Sequence, residues 1–157
     1  MKSTKKMFMM AAAISLGLVI YSCESGDNEK PVISNFEPLE GDTLIIGKNV
    51  HLECTLTDNE KLASYKIDIH NNFDNHEHKS ANTKSDEHSI AFSFSKEWTD
   101  IAGQKEANVH HDEISIPMVD DKGRTISGGK YHFVIYCLDA AGNQAVASRN
   151  VIIAEIK

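Results

Sequence analysis

The sequence predicts an all-β domain, a two-sheet β-sandwich of about seven short strands. Three observations carry that expectation. Past Pro31 no segment sustains a helical apolar period over about ten residues, whereas apolar and polar residues alternate repeatedly. Turn-forming clusters of Gly, Asp, Asn and Pro separate the alternating runs. The length remaining after an apolar N-terminal leader suits one domain with its own core and not two.

The first strand is expected over Val32 to Phe36, followed by a turn at Pro38-Leu39-Glu40-Gly41-Asp42 and a short edge piece at Leu44 to Ile46. Val50, Leu52, Cys54 and Leu56 then alternate with His51, Glu53, Thr55 and Thr57, until Asp58-Asn59-Glu60 breaks the run. Tyr65, Ile67 and Ile69 alternate with Lys66, Asp68 and His70 in the next strand. Residues 71–87 are too polar for a core. Ile90, Phe92 and Phe94 suggest another strand, and Trp98 and Ile101 are expected to cover a core edge within 95–109, a stretch whose course periodicity leaves open. Ile114 and Ile116 precede Pro117, which has no amide hydrogen to continue a ladder. Turns at residues 120–123 and 128–129 lead to the alternating run Tyr131, Phe133, Ile135 and Cys137, and a last strand runs from Gln144 to about Ile156.

The leader has its own chemistry. Lys2, Lys5 and Lys6 precede an apolar stretch, Met7 to Ile20, of signal-peptide length and too short for a spanning helix. Ile20-Tyr21-Ser22-Cys23 resembles the lipobox of bacterial lipoproteins, although Tyr21 is bulkier than the usual occupant. The resemblance implies cleavage after residue 22 and a lipid anchor on Cys23; a plain secretory signal peptide is the alternative. Residues 23–30 form a polar tether whose acidic residues resemble export signals of surface-displayed Bacteroidetes lipoproteins. The expected location is therefore the bacterial outer membrane, on its periplasmic side or at the cell surface. All three leader charges are basic, so 13 of the 16 Lys plus Arg remain against 23 Asp plus Glu, a formal charge of −10. Such a surface repels nucleic acid and anionic headgroups.

The segment Gly129-Lys130-Tyr131-His132-Phe133-Val134-Ile135-Tyr136-Cys137-Leu138-Asp139-Ala140-Ala141-Gly142-Asn143 resembles the sixth strand and following turn of bacterial immunoglobulin-like domains, with cysteine in place of a small residue. Residues 31–157 as a whole look like an uncharacterised family of Bacteroidetes immunoglobulin-like lipoproteins rich in histidine after the third strand. That resemblance implies a fold and no activity. In immunoglobulin sandwiches the second and sixth strands face each other, so Cys54 and Cys137, both of inward parity, are expected to form a disulfide in an oxidising compartment. Two buried thiols packed as small apolar groups are the alternative.

Eight histidines are an excess for this length, and they cluster. His70, His76 and His78, with Asp74 and Glu77 between them, combine imidazoles and carboxylates within one short stretch. If Ile69 and Phe133 point inward, His70 and His132 point outward on antiparallel neighbours, where facing side chains stand about 5 Å apart. The expected site is His70 and His132 as a base, His76 and His78 folding over it, and Asp74 as an oxygen ligand or orienting acceptor. Imidazoles suit a transition metal, zinc or copper, whereas calcium takes mostly oxygen ligands. His110 and His111 form a weaker candidate, joining that site only if 95–109 makes an extra crossing, and His51 and His88 read as outward sheet positions. The bland alternative is that the histidines are ordinary surface residues.

The chain has no phosphate-binding glycine loop, no Gly-x-Ser-x-Gly elbow and no His-Glu-x-x-His spacing, so enzymatic activity is not expected. Two functions stay open: an envelope-anchored metal-binding module, or a structural or adhesive module recognising a protein or glycan through Tyr136, joined by Trp98 if that residue is exposed. The fold alone cannot choose between them.

Overall fold

In the computed structural model, which describes residues 26–72 and 88–156, the predicted alternation becomes two facing sheets. The first sheet has three antiparallel strands in the order β1 (Val32–Glu37), β3 (Asn49–Thr57), β7 (Glu106–Ser115). The second has five: β2 (Thr43–Ile45), β10 (Gln144–Ala154), β9 (Gly129–Asp139), β4 (Leu62–Asn71) and β6 (Phe94–Trp98). All its pairings are antiparallel except β2 with β10. A small parallel pair, β5 (Ser89–Ile90) with β8 (Thr125–Ile126), sits apart. The architecture is an all-β, immunoglobulin-like sandwich, and among the described residues there is no helix.

The core is what the period of two dictates. In β3, Val50, Leu52, Cys54 and Leu56 are buried while His51 and Glu53 face out. Tyr65, Ile67 and Ile69 of β4, and Tyr131, Phe133, Ile135 and Cys137 of β9, supply the opposite layer. Tyr131 also closes the polar side of this core. Its hydroxyl donates to the Ser127 carbonyl at 2.7 Å and accepts the Phe92 amide at 3.0 Å. A tyrosine near the start of the sixth strand bonding back to backbone a few residues upstream is a recurring feature of immunoglobulin sandwiches.

Two expectations need correction. Cys54 and Cys137 form no disulfide: both are free, buried thiols. Burial pushes Cys54 up to about 12, with Cys137 adding to the effect, and Cys137 up to about 11. The thiolate needed to start disulfide exchange is therefore suppressed, and each sulfur packs as a small apolar group. Ile90, Phe92 and Phe94 do not lie on one strand. Ile90 belongs to β5, Phe94 opens β6, and buried Phe92 lies between them outside either strand. Trp98 covers a core edge as expected: it is half-buried against the core, stacked 5.2 Å from Tyr65 and tilted 4.4 Å from His111, which leaves it no exposed platform.

Candidate metal centre

Among the described residues two imidazole pairs lie on the outer faces, one on each sheet. The better developed is on the three-stranded sheet. His51 and Glu53 are two residues apart on β3 and share its outward face; His110 and Asp112 do the same on β7. Glu53 is the register partner of His110 on one side and of Glu37 on the other. These pairings give an exposed row of Glu37, Glu53 and His110 across three strands, with His51 one step along.

A β-bulge completes the arrangement. Val50 pairs with Ile114 but Leu52 pairs with His111, so Asp112 and Glu113 together oppose the single residue His51. The extra residue brings Asp112 between the two rings: its Oδ1 lies 2.9 Å from His51 Nδ1 and its Oδ2 3.0 Å from His110 Nε2. The rings themselves are edge-to-face with centroids 5.2 Å apart. Asp112 thus engages one nitrogen of each ring and leaves His51 Nε2 and His110 Nδ1 for an ion. A carboxylate bonded to the far side of a ligating imidazole is the usual way its tautomer and orientation are set. His51 Nε2 already faces carboxylates, with Glu53 Oε1 at 3.6 Å and Glu37 Oε2 at 3.9 Å.

The electrostatics match this layout. The Asp112 hydrogen bond holds the His51 imidazole above its ordinary value, and His51 in return holds the Asp112 carboxyl below its own. His51, Glu53 and His110 each offer a ligand atom, all within 4.8 Å of one another. Ligands on a tetrahedral zinc stand about 3.4 Å apart when the metal–ligand distance is about 2.1 Å. Closing the difference takes only small rotations of exposed side chains. The chain therefore carries a His/Glu cluster able to coordinate a metal ion.

The site expected from the sequence lies on the other sheet. His70 on β4 and His132 on β9 are register partners, with ring centroids 5.3 Å apart and edge-to-face. Asp68 Oδ1 lies 2.6 Å from His70 Nδ1, the same orienting contact that Asp112 makes to His51. Asn150 of β10 pairs with His132 on its far side. Asp74, His76 and His78, the remaining members of the expected set, lie outside the described residues.

His110 joins His51 on the three-stranded sheet and not the His70 and His132 pair. Its neighbour His111 points inward, where Nε2 meets the Tyr65 hydroxyl at 2.7 Å and Nδ1 meets the Glu113 carboxylate. Both ring nitrogens are used, so His111 is a core residue with its hydrogen bonds satisfied. The signal for the His51–Glu53–His110 cluster was present as two His-x-acid tripeptides, but only the β3–β7 register shows that they meet.

No curated protein matches the chain. Among solved structures it is similar to the crystal structure of wild-type OgpA from Akkermansia muciniphila, with 10% identity and a TM-score of 0.40 over 80% of this chain. That match covers 29% of the OgpA chain. The family model described as "Domain of unknown function (DUF4625)" matches residues 21–154, and the chain belongs to that family.

Proposed function

We propose that the chain is an envelope-anchored lipoprotein, lipidated on Cys23, that holds a transition metal ion, zinc or copper, on the outer face of its sandwich without catalysing a reaction. The observation that carries this reading is the convergence of His51, Glu53 and His110 on one exposed sheet face, with Asp112 orienting both imidazoles. Two nitrogens and one oxygen suit zinc or copper, and an exposed three-ligand site leaves room for water or a partner's ligand. A module of this kind buffers or hands over metal at the envelope.

A second reading has one observation in its favour. On the five-stranded sheet, half-buried Tyr136 lies beside its register partner Val146, 55% exposed, with the Lys66 ammonium 5.4 Å above the Tyr136 ring. That patch suits an adhesive module contacting an envelope protein or a glycan.

The deciding measurement is titration of the purified chain with zinc and with copper, beside His51→Ala, His110→Ala, His70→Ala and His132→Ala. All four side chains lie at the surface or half-buried, so none of the variants should unfold the domain. We expect binding at about micromolar or tighter, lost in the first two variants. Loss only in the last two would move the site to the five-stranded sheet, and no stoichiometric binding at all would leave the adhesive reading. The anchor is tested separately, by detergent partitioning of Cys23→Ser: unchanged partitioning would remove the lipoprotein assignment.

A further inference from the structure

A second group of acidic side chains lies where β3 and β9 end. Asp58 follows β3, Asp139 is the last residue of β9, and Asp27 comes from the segment leading into β1. Each offers a carboxylate oxygen, and these oxygens lie within 4.8 Å of one another. We propose that Asp27, Asp58 and Asp139 form a site for a hard divalent cation of the calcium class, one that clamps the N-terminal segment to the end of the sandwich.

Proximity of acids alone would not carry this. The decisive feature is Asp58. It is partly exposed over the whole residue, but its carboxylate is turned in. Oδ1 accepts the amides of Glu60 at 2.9 Å and Lys61 at 2.7 Å, whereas Oδ2 exposes less than 1 Å² and has no hydrogen-bond partner. An acceptor cut off from water and from donors is costly unless a cation or proton meets it. Asp139 is 1% exposed, and its two oxygens accept from the Asn143 amide and side chain, each at 2.7 Å. Gly142, at φ 97°, gives the turn the left-handed residue it needs to wrap Asn143 around that carboxylate. A carboxylate oxygen has more than one lone pair, so these bonds orient Asp139 and still leave it able to coordinate.

Asp27 is already held in place by neutral groups. Asn59 Nδ2 donates to its Oδ1 at 3.0 Å, and Asn143 Nδ2 donates to its carbonyl at 3.0 Å. Among the described residues no Lys or Arg forms an ion pair with any of the three aspartates. A shallow cavity lined by Asp27, Glu60, Lys61, Ala140 and Ala141 gives access from solvent. With only carboxylate ligands, and neither imidazole nor thiolate, the site selects calcium or a similar hard ion over zinc or copper. It is thus chemically separate from the His51 cluster and does not depend on it.

The test is calcium titration of the purified chain by calorimetry, with thermal melting in the presence and absence of calcium. Binding should fall in the range of extracellular calcium modules, Kd about 10⁻⁴ to 10⁻³ M. Calcium should also raise the melting temperature and slow proteolysis of the segment before Pro31. Asp27→Asn, at a partly exposed position outside the core, should weaken calcium at least about tenfold, the scale on which even outer partners of a metal site act. The same variant should leave calcium-free melting and zinc binding unchanged. Absence of calcium binding, or equal binding by Asp27→Asn, would overturn the proposal.

Discussion

Tyr131→Phe removes one oxygen atom and tests how the β-sandwich is closed. Tyr131 is fully buried, and its hydroxyl serves two backbone groups, the Phe92 amide and the Ser127 carbonyl. The two losses are unequal. Phe92 is 7% exposed, so its amide has no water to turn to, and an unsatisfied buried donor costs about 1–3 kcal/mol. Ser127 is only partly buried, and its carbonyl can hydrate, so losing that bond costs nearer the net value of about 1 kcal/mol. Phenylalanine regains a little through its more apolar ring. The expected destabilisation is therefore about 2–4 kcal/mol, which lowers the melting temperature by roughly 10 °C in a domain of this size. Urea denaturation followed by tryptophan fluorescence measures it, since Trp98 packs against the core. The midpoint should fall with the m-value unchanged. Tyr136→Phe, at a half-buried outer position, is the control and should change stability by no more than about 0.5 kcal/mol. A Tyr131→Phe variant within about 0.5 kcal/mol of the parent would refute the argument that this hydroxyl holds the loop before β6 to the start of β9.

Two further outcomes follow from the titrating groups. His51, raised by Asp112, should titrate by NMR with a midpoint above about 6.5, and Asp112→Asn should bring that midpoint down. In the metal-free chain the His51–Asp112 contact contributes fully below the unfolded value and is lost as pH rises through the raised folded value. Zinc binding should run the opposite way, weakening as protons claim the imidazole on acidification. Matching midpoints in the two proteins would remove Asp112 as the cause. Cys54 and Cys137 should resist a thiol reagent near pH 8 in the folded chain and react, both of them, in denaturant, while added reductant leaves the melting temperature unchanged.

The strands that alternate cleanly were legible from the sequence, and so was what they place outside. β4 and β9 each keep an unbroken parity around His70 and His132, so the facing of those two rings follows from counting by twos. β7 defeats the same counting. Ile114 is buried, and stepping back by twos puts His110 inside and His111 outside; the bulge at Asp112–Glu113 inserts one residue and reverses both. The His51–Glu53–His110 cluster was hidden for that reason. Residues 89–94 alternate like a strand, yet Phe92 gives its amide to Tyr131 instead of to a ladder, a long-range bond that local pattern does not announce. Asp27 was hidden differently. It sits in a uniformly polar tether, and only the path of that tether past the ends of β3 and β9 sets it beside two other aspartates.

The rim of the three-stranded sheet has a consequence for how copies of the chain meet. β1 offers a short edge interrupted by a register shift, β2 has three residues, and β6 has five and carries Lys96 and Glu97. Among the described residues β7, with ten residues, is the one long edge strand in either main sheet, and its outward side chains include Glu106, His110, Asp112 and Glu113. Strand addition by a second molecule would stack this charge against itself, so the acidity of the rim acts as a guard against fibril-like growth. Acidification protonates those carboxylates, and an ion held by His110 and Glu53 offsets their charge, so both relax the same guard. An ion bound at that face would thereby change how readily copies of the chain associate.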